Sequence, residues 1–210
     1  MDPYKETFET WNKVAMLYQE KFMHLDLYNE SYTIFCNQLI KENASVLEIG
    51  CGPGNITNYL LLKIPDLIIE GIDVAPNMIE LARINNPTAN FKVMDCRNID
   101  KITSKFNGII CGFCIPYLSH TDCINFLTDS FGLLSEKGII YLSFVEGDYN
   151  NSGYLSASTG DRTYFYYHNS EDIQKVLMEN NFTINHELKV DFRKRDGEME
   201  EHTILIAQKK

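Results

Sequence analysis

The stretch that most constrains this chain runs Val46-Leu47-Glu48-Ile49-Gly50-Cys51-Gly52-Pro53-Gly54-Asn55-Ile56-Thr57. An aliphatic, partly β-branched run carries an acid and then breaks into glycines at alternate positions. Helical spacing follows, with Ile56, Tyr59 and Leu60 on one side and Lys63 behind. That pattern predicts a strand, a tight loop and a helix. Glycines let the loop turn sharply and let a ligand approach the backbone. The helix start behind the loop offers free N–H groups and a partial positive charge.

A dinucleotide loop would read G-x-G-x-x-G, with the third glycine packing helix on strand. Gly50 and Gly52 fit that spacing, but Asn55 holds the third place and the extra glycine is Gly54. Glu48 would crowd a pyrophosphate, whereas it would suit a ligand with a cationic end. The string E-x-G-x-G-x-G resembles the first motif of the class I S-adenosylmethionine (SAM)-dependent methyltransferases.

The rest of the chain alternates in the same way. Leu67 to Ile72 reads as a strand ending in Asp73, and Pro76 opens a helix that runs through Arg83 and closes at Asn85-Asn86-Pro87. Phe91 to Met94 is the next strand, followed by Asp95. Phe106 to Phe113 is a strongly apolar strand. Ser119 caps a helix from about His120 to Leu134, and Ser135 to Gly138 turn into a strand from Ile139 to Phe144. This alternation predicts a parallel sheet covered by helices on both faces, with the ligand loops at one edge.

Two further regions differ. From Asp2 to about Met23 an aromatic stripe recurs: Tyr4, Phe8, Trp11, Ala15, Tyr18, Phe22. A second helix is expected from about Leu27 to Lys41. The stripe serves either to pack on the sheet or to form a lid, and both can hold at once. At the other end, Glu146 to Asp161 reads as a loop, Arg162 to His168 as a dense aromatic patch, and Glu171 to Asn180 as a helix capped by Asn169 or Ser170. Phe182 to about Arg193 and Met199 to about Gln208 form a hairpin around Arg195-Asp196-Gly197-Glu198.

Composition narrows the setting. The chain has 210 residues, 44% hydrophobic, and a net charge of -10. It is long enough for a full core, and its acidity argues against a nucleic-acid partner. No apolar run is long enough to span a membrane, and the polar Met1-Asp2-Pro3 start lacks a signal-peptide core. Six cysteines within mostly apolar segments favour a reducing, cytoplasmic setting. Cys111-x-x-Cys114 has no second pair and reads as core packing.

The resemblance covers about Ala44 to Lys210. It implies an α/β, three-layer sandwich with a mostly parallel seven-stranded sheet ending in an antiparallel hairpin. Residues 1–43 would be an N-terminal helical cap on a Rossmann-like core, 44–210, in one domain. It also implies SAM as cofactor, S-adenosylhomocysteine (SAH) as product and a small-molecule acceptor. Glu48 and carbonyls near Cys111 would face the amino-acid end, and Gly50 to Gly54 would pass beneath, with Gly50, Cys51 and Gly52 as cofactor-binding residues. Asp73 would hold the ribose hydroxyls. Asp95 and the backbone of Cys96 would hold adenine, between Val74 and Met78. Phe113, Tyr117, Tyr18, Tyr164 and Tyr166 would wall the acceptor site. His120 and His168 are the candidate bases. The Cys-Ile-Pro-Tyr sequence at 114–117 departs from the acidic or Asn-Pro-Pro-aromatic signature of many amine and nucleic-acid methyltransferases. A non-catalytic SAM-binding module, serving as a sensor or regulatory partner subunit, and an NAD-dependent oxidoreductase are the rival readings. O-, N-, S- and C-methylation are all compatible with the pattern.

Overall fold

The structure, a computed structural model, describes residues 2–39, 42–156, 160–194 and 197–210. Helices α1 (Pro3–Lys13), α2 (Ala15–Phe22) and α3 (Asn29–Gln38) open the chain. Then come β1 (Ser45–Ile49), α4 (Asn55–Lys63), β2 (Ile68–Asp73), α5 (Pro76–Asn85) and β3 (Asn90–Val93). A 3₁₀ segment, Cys96–Lys101, leads to β4 (Phe106–Gly112), and a shorter one, Ile115–Tyr117, leads to α6 (His120–Leu133). β5 (Leu134–Val145), β6 (Gly153–Ser156), β7 (Arg162–Phe165), α7 (Ser170–Glu179), β8 (Phe182–Arg193) and β9 (Met199–Lys209) complete the order.

The main sheet has seven strands in the order β3-β2-β1-β4-β5-β9-β8. β1 to β5 run parallel, while β9 pairs antiparallel with both β5 and β8. The sheet faces separate by strict alternation. Leu47, Ile109, Leu142 and Leu205 pack with Phe126 of α6 and Leu177 of α7. Val46, Ile110, Tyr141 and Ile204 pack with Phe35 of α3 and Leu60 of α4. Both faces are buried, which is why the central strands read as continuous apolar runs. Strand order reverses between β1 and β4, so a crevice opens beyond their C-terminal ends.

Several expectations change in detail. The aromatic stripe is two helices, not one, because the chain leaves helical geometry at Val14 (φ -93°, ψ 10°). The bend brings the Trp11 and Tyr18 rings edge to face at 5.6 Å. Lys41, the expected end of the second helix, lies outside the described residues, as do Arg195 and Asp196 of the hairpin turn. Beside that turn Gly197 has φ 91° and donates to the Lys194 carbonyl at 3.0 Å.

β5 begins at Leu134 rather than Ile139: Leu134 pairs with Phe106, and a register shift separates that pair from Gly108 and Ile139. The expected loop from Glu146 to Asp161 contains β6, whose hairpin with β7 carries the aromatic patch; residues 157–159 lie outside the described residues. Distant partners hold that hairpin. Thr10 Oγ1 donates to the Arg162 carbonyl at 2.7 Å, and the Tyr164 amide donates to Thr7 Oγ1 at 2.9 Å. Among the described residues no helix is long and apolar enough to cross a membrane.

Candidate active site

The glycine loop arches over the end of β1 in the left-handed region, with φ +64° at Gly50, +53° at Gly52 and +82° at Gly54. Gly54 precedes α4. Asp73 ends β2 and holds the loop. One carboxylate oxygen accepts the Gly52 amide at 2.9 Å, and the other accepts the Ala75 amide at 2.8 Å. Burial raises the Asp73 pKa, and these amide bonds oppose the rise. Asp95 lies just past β3 and caps the first 3₁₀ segment through the Arg97 amide at 2.9 Å. Its carboxylate also takes the Arg97 guanidinium at 2.6 Å, while that guanidinium lies 3.8 Å from the Tyr4 ring centre.

These groups surround one cavity of about 320 Å³. Gly50, Gly52, Asp73, Val74, Met78, Asp95, Cys96 and Phe113 all line it, as do Tyr18 and Tyr117. α1 and α2 roof it. The Trp11 ring meets Tyr18 and, at 5.4 Å, Tyr117, both edge-on. The Trp11 indole N–H is buried without a hydrogen-bond partner among the described residues. Burial, with Asp73 and Glu48 nearby, pushes the Tyr18 hydroxyl up to about 12. The roof is fastened by an ion pair between Arg162 and Glu6 at 2.8 Å and by the Asn77 amide donating to Asn12 Oδ1 at 2.9 Å.

Some expected residues lie elsewhere. Glu48 is 1% exposed and does not line the cavity. Its side chain projects to the α4 face and accepts the Thr57 hydroxyl through Oε2, while Oε1 has no partner among the described residues. Burial pushes this carboxyl up to about 8. Cys51 packs with Ile79, Ala82 and Phe91, and Cys111 packs in the core, so neither thiol reaches the cavity.

His120 and His168 line a different cavity, of about 400 Å³, between α6 and α7. The expectation that the patch face carrying Tyr164, Tyr166 and His168 reaches the glycine-loop crevice is corrected. β7 turns Tyr164 and Tyr166 toward Tyr154 and Tyr4, and the Tyr166 amide donates to the Pro116 carbonyl at 2.7 Å. His168 Nε2 bonds the Leu118 carbonyl at 3.0 Å, and burial lowers its pKa.

The sequence reading missed the opposite wall of the first cavity. Glu200 and His202 open β9, and His202 pairs with Val145 at the C-terminal end of β5. Tyr28, Phe192, Glu200 and His202 line the cavity with Phe113. Tyr28 Oη lies 2.7 Å from His202 Nδ1, and His202 Nε2 lies 3.1 Å from Glu200 Oε2. Phe113 sits at φ 55°, an uncommon conformation for a bulky residue, with its ring 4.8 Å from the His202 ring.

Comparison with known proteins agrees with this architecture. Residues 46–138 match the family model described as a methyltransferase domain. The chain is similar to a putative methyltransferase 235L of Invertebrate iridescent virus 6, 35% identical over 113 residues, covering 53% of this chain and 40% of the viral protein. It is also similar to the malonyl-[acyl-carrier protein] O-methyltransferase of Acetivibrio thermocellus, 36% identical over 72 residues, 33% of this chain and 25% of that one. The matched stretches thus span well under two thirds of those relatives. Among solved structures, the SAH-bound magnesium protoporphyrin IX methyltransferase of Synechocystis superposes with a TM-score of 0.74 over 100% of both chains at 14% identity, a likeness of fold.

Proposed function

From a chain that carries a methyltransferase domain over residues 46–138, on the Rossmann-like fold of the class I SAM-dependent methyltransferases, we propose transfer of a methyl group from SAM to a small-molecule acceptor. The observation that carries this reading is the convergence of the glycine loop, Asp73 and Asp95 on one partly apolar cavity.

The donor set fits the cofactor. Asp73 is already oriented by backbone amides and would accept the ribose hydroxyls. Asp95 and the Cys96 amide would take the edge of adenine, between Val74 and Met78. Gly50 and Gly52 leave the backbone bare where the ligand would pass. The carbonyls near Cys111 and Gly112 would face the ammonium end, with Glu48 setting a polar floor below. When bound, SAM supplies an activated methyl and its own leaving group, so the protein needs to orient, to exclude water and to manage a proton. The aromatic roof of Trp11, Tyr18 and Tyr117 does the first two and suits a sulfonium charge. In this reading residues 1–43 cap a core of residues 44–210.

The test has two parts. Calorimetry should show SAH binding and no NADH binding; tight NADH binding without SAH binding would overturn the reading in favour of an oxidoreductase. A cell-extract metabolite screen with labelled SAM should transfer label to a small compound. Stable SAM binding with no label transferred would instead make the chain a cofactor-binding module.

A further inference from the structure

Resting on that reading, we propose that Tyr28, His202 and Glu200 form a proton relay for the acceptor, which is an uncharged, flat molecule bearing a dissociable O–H or N–H. The sheet order places this trio apart from the nucleotide groups. Asp73 and Asp95 stand at the ends of β2 and β3, whereas His202 stands four strand spacings from β2, roughly 19 Å away at ~4.8 Å per strand. The glycine loop and Phe113 lie between. One end of the cavity thus suits a nucleoside and the other an acceptor.

The proton positions follow from the partners. An ionised Glu200 only accepts, so His202 Nε2 carries the hydrogen and Nδ1 is bare. The Tyr28 hydroxyl therefore donates to Nδ1. Burial raises the Tyr28 pKa, so free tyrosinate is disfavoured and a concerted shift is favoured. In that shift the acceptor's X–H proton moves to Tyr28 Oη while the Tyr28 proton moves to His202 Nδ1. The X–CH₃ bond forms as the S–CH₃ bond breaks, and its electron pair stays on sulfur. The new imidazolium lies beside the Glu200 carboxylate and returns its proton to solvent from there.

Surroundings support the relay. His202 is 5% exposed, stacked on Phe192 and flanked by Phe113. Such an array is costly in an apolar wall unless each polar atom has a partner. The other ionisable groups around it are Tyr18 and Tyr141, in range of Tyr28; Lys194, 4.0 Å from the Glu200 carboxylate and 2.8 Å from Glu198; and Lys21 of α2, 6.0 Å from the centre of the Phe192 ring. The acceptor class follows from the lining. Among the described residues no lysine or arginine lines the cavity; the charged side chains that line it are Asp73, Asp95 and Glu200, with Arg97 paired to Asp95 and Lys194 beside Glu200 behind that lining. A polycarboxylate would meet carboxylates on the lining and no lining cation, whereas aromatic walls favour a flat apolar body.

The test uses the full chain, labelled SAM, and two probe sets: phenols, enols and aromatic amines against aliphatic polycarboxylates. We expect transfer to the first set. With the best acceptor, Tyr28→Phe and His202→Gln should each lower kcat about 100-fold, with SAH affinity within about twofold of wild type. Glu200→Gln should move the acid limb of the kcat profile to lower pH, a change that a structural role would not produce. Tyr28→Phe deletes one hydroxyl, so it remains informative if His202→Gln does not fold. Preferred transfer to polycarboxylates, or no transfer to either set with SAH still bound, overturns the acceptor class. Unchanged kcat and pH profile in Tyr28→Phe and Glu200→Gln overturns the relay. Loss of SAH binding by the wild-type chain would instead sink the cofactor reading.

Discussion

Asp73 and Gly52 are joined by a 2.9 Å hydrogen bond from the loop amide to the carboxylate at the end of β2. The acid that would hold the ribose therefore also sets the shape of the loop beneath the ligand. The Ala75 amide occupies its other oxygen at 2.8 Å. Asp73→Asn turns one of those oxygens into a donor facing an N–H. SAH affinity should fall at least about tenfold, which is about 1.4 kcal/mol, in a calorimetric titration. Wild-type affinity in this variant would remove Asp73 from the cofactor site.

Trp11 is the only tryptophan in the chain, and it lines the cavity. Its ring lies against Tyr18 and Tyr117 with the indole N–H unpartnered among the described residues. A ligand entering beneath α1 and α2 must change its surroundings. SAH titration should shift the emission maximum or intensity saturably, with the same midpoint as calorimetry. A silent emission signal during calorimetric saturation would mean that the ligand binds away from the roof.

Gly52 and Gly54 should fail differently. Both have positive φ, which costs an L-residue about 1–2 kcal/mol. At Gly54 an added Cβ would also lie 2.4 Å from Asn86 Nδ2, the atom that bonds the Gly54 carbonyl. At Gly52 the nearest atom is a Tyr18 ring carbon at 3.6 Å. Gly54→Ala should therefore lower the melting temperature more than Gly52→Ala. Gly52→Ala should stay folded and lose SAH affinity, because its methyl group would point into the ligand space. Equal melting temperatures for the two variants would contradict the Asn86 contact.

What the sequence made legible was local or periodic. The strand, loop and helix from Val46 to Thr57, the acid that ends β2 and the one just past β3, the Ser119 cap and the final hairpin all carry short-range signals, and the structure has them. What it hid depended on distant partners. β6 and β7 owe their pairing partly to Thr7 and Thr10 on α1. His120 and His168 stand near the right strands in sequence, yet the start of α6 and the turn after β7 send them to another cavity. Glu200 and His202 carry a usable signal in the direction of their strand. An antiparallel last strand starts at the ligand edge, so polar residues two apart at its start face one side there. Glu48 shows the opposite error. Alternation along β1 puts it on the face of Val46, against α4, which its motif position did not reveal.

That placement gives Glu48 a pH signature. The carboxyl is buried between β1 and α4, and the loss of hydration pushes its pKa up to about 8, against an ordinary value of 4.5. In the unfolded chain it ionises near the ordinary value. Between those two values the folded state holds a proton that the unfolded state has released. Stability from this group is thus fully present below about pH 4.5 and is lost as pH rises toward 8. Glu48→Gln mimics the protonated form and keeps a group that can bond Thr57. From pH 6 to 9 the wild type should lose about 2–3 kcal/mol relative to Glu48→Gln in denaturant titrations of the ligand-free protein. Matching slopes in the two proteins would mean that Glu48 is ionised throughout, paired with a cation or hydrated. The burial that this structure gives it would then be wrong.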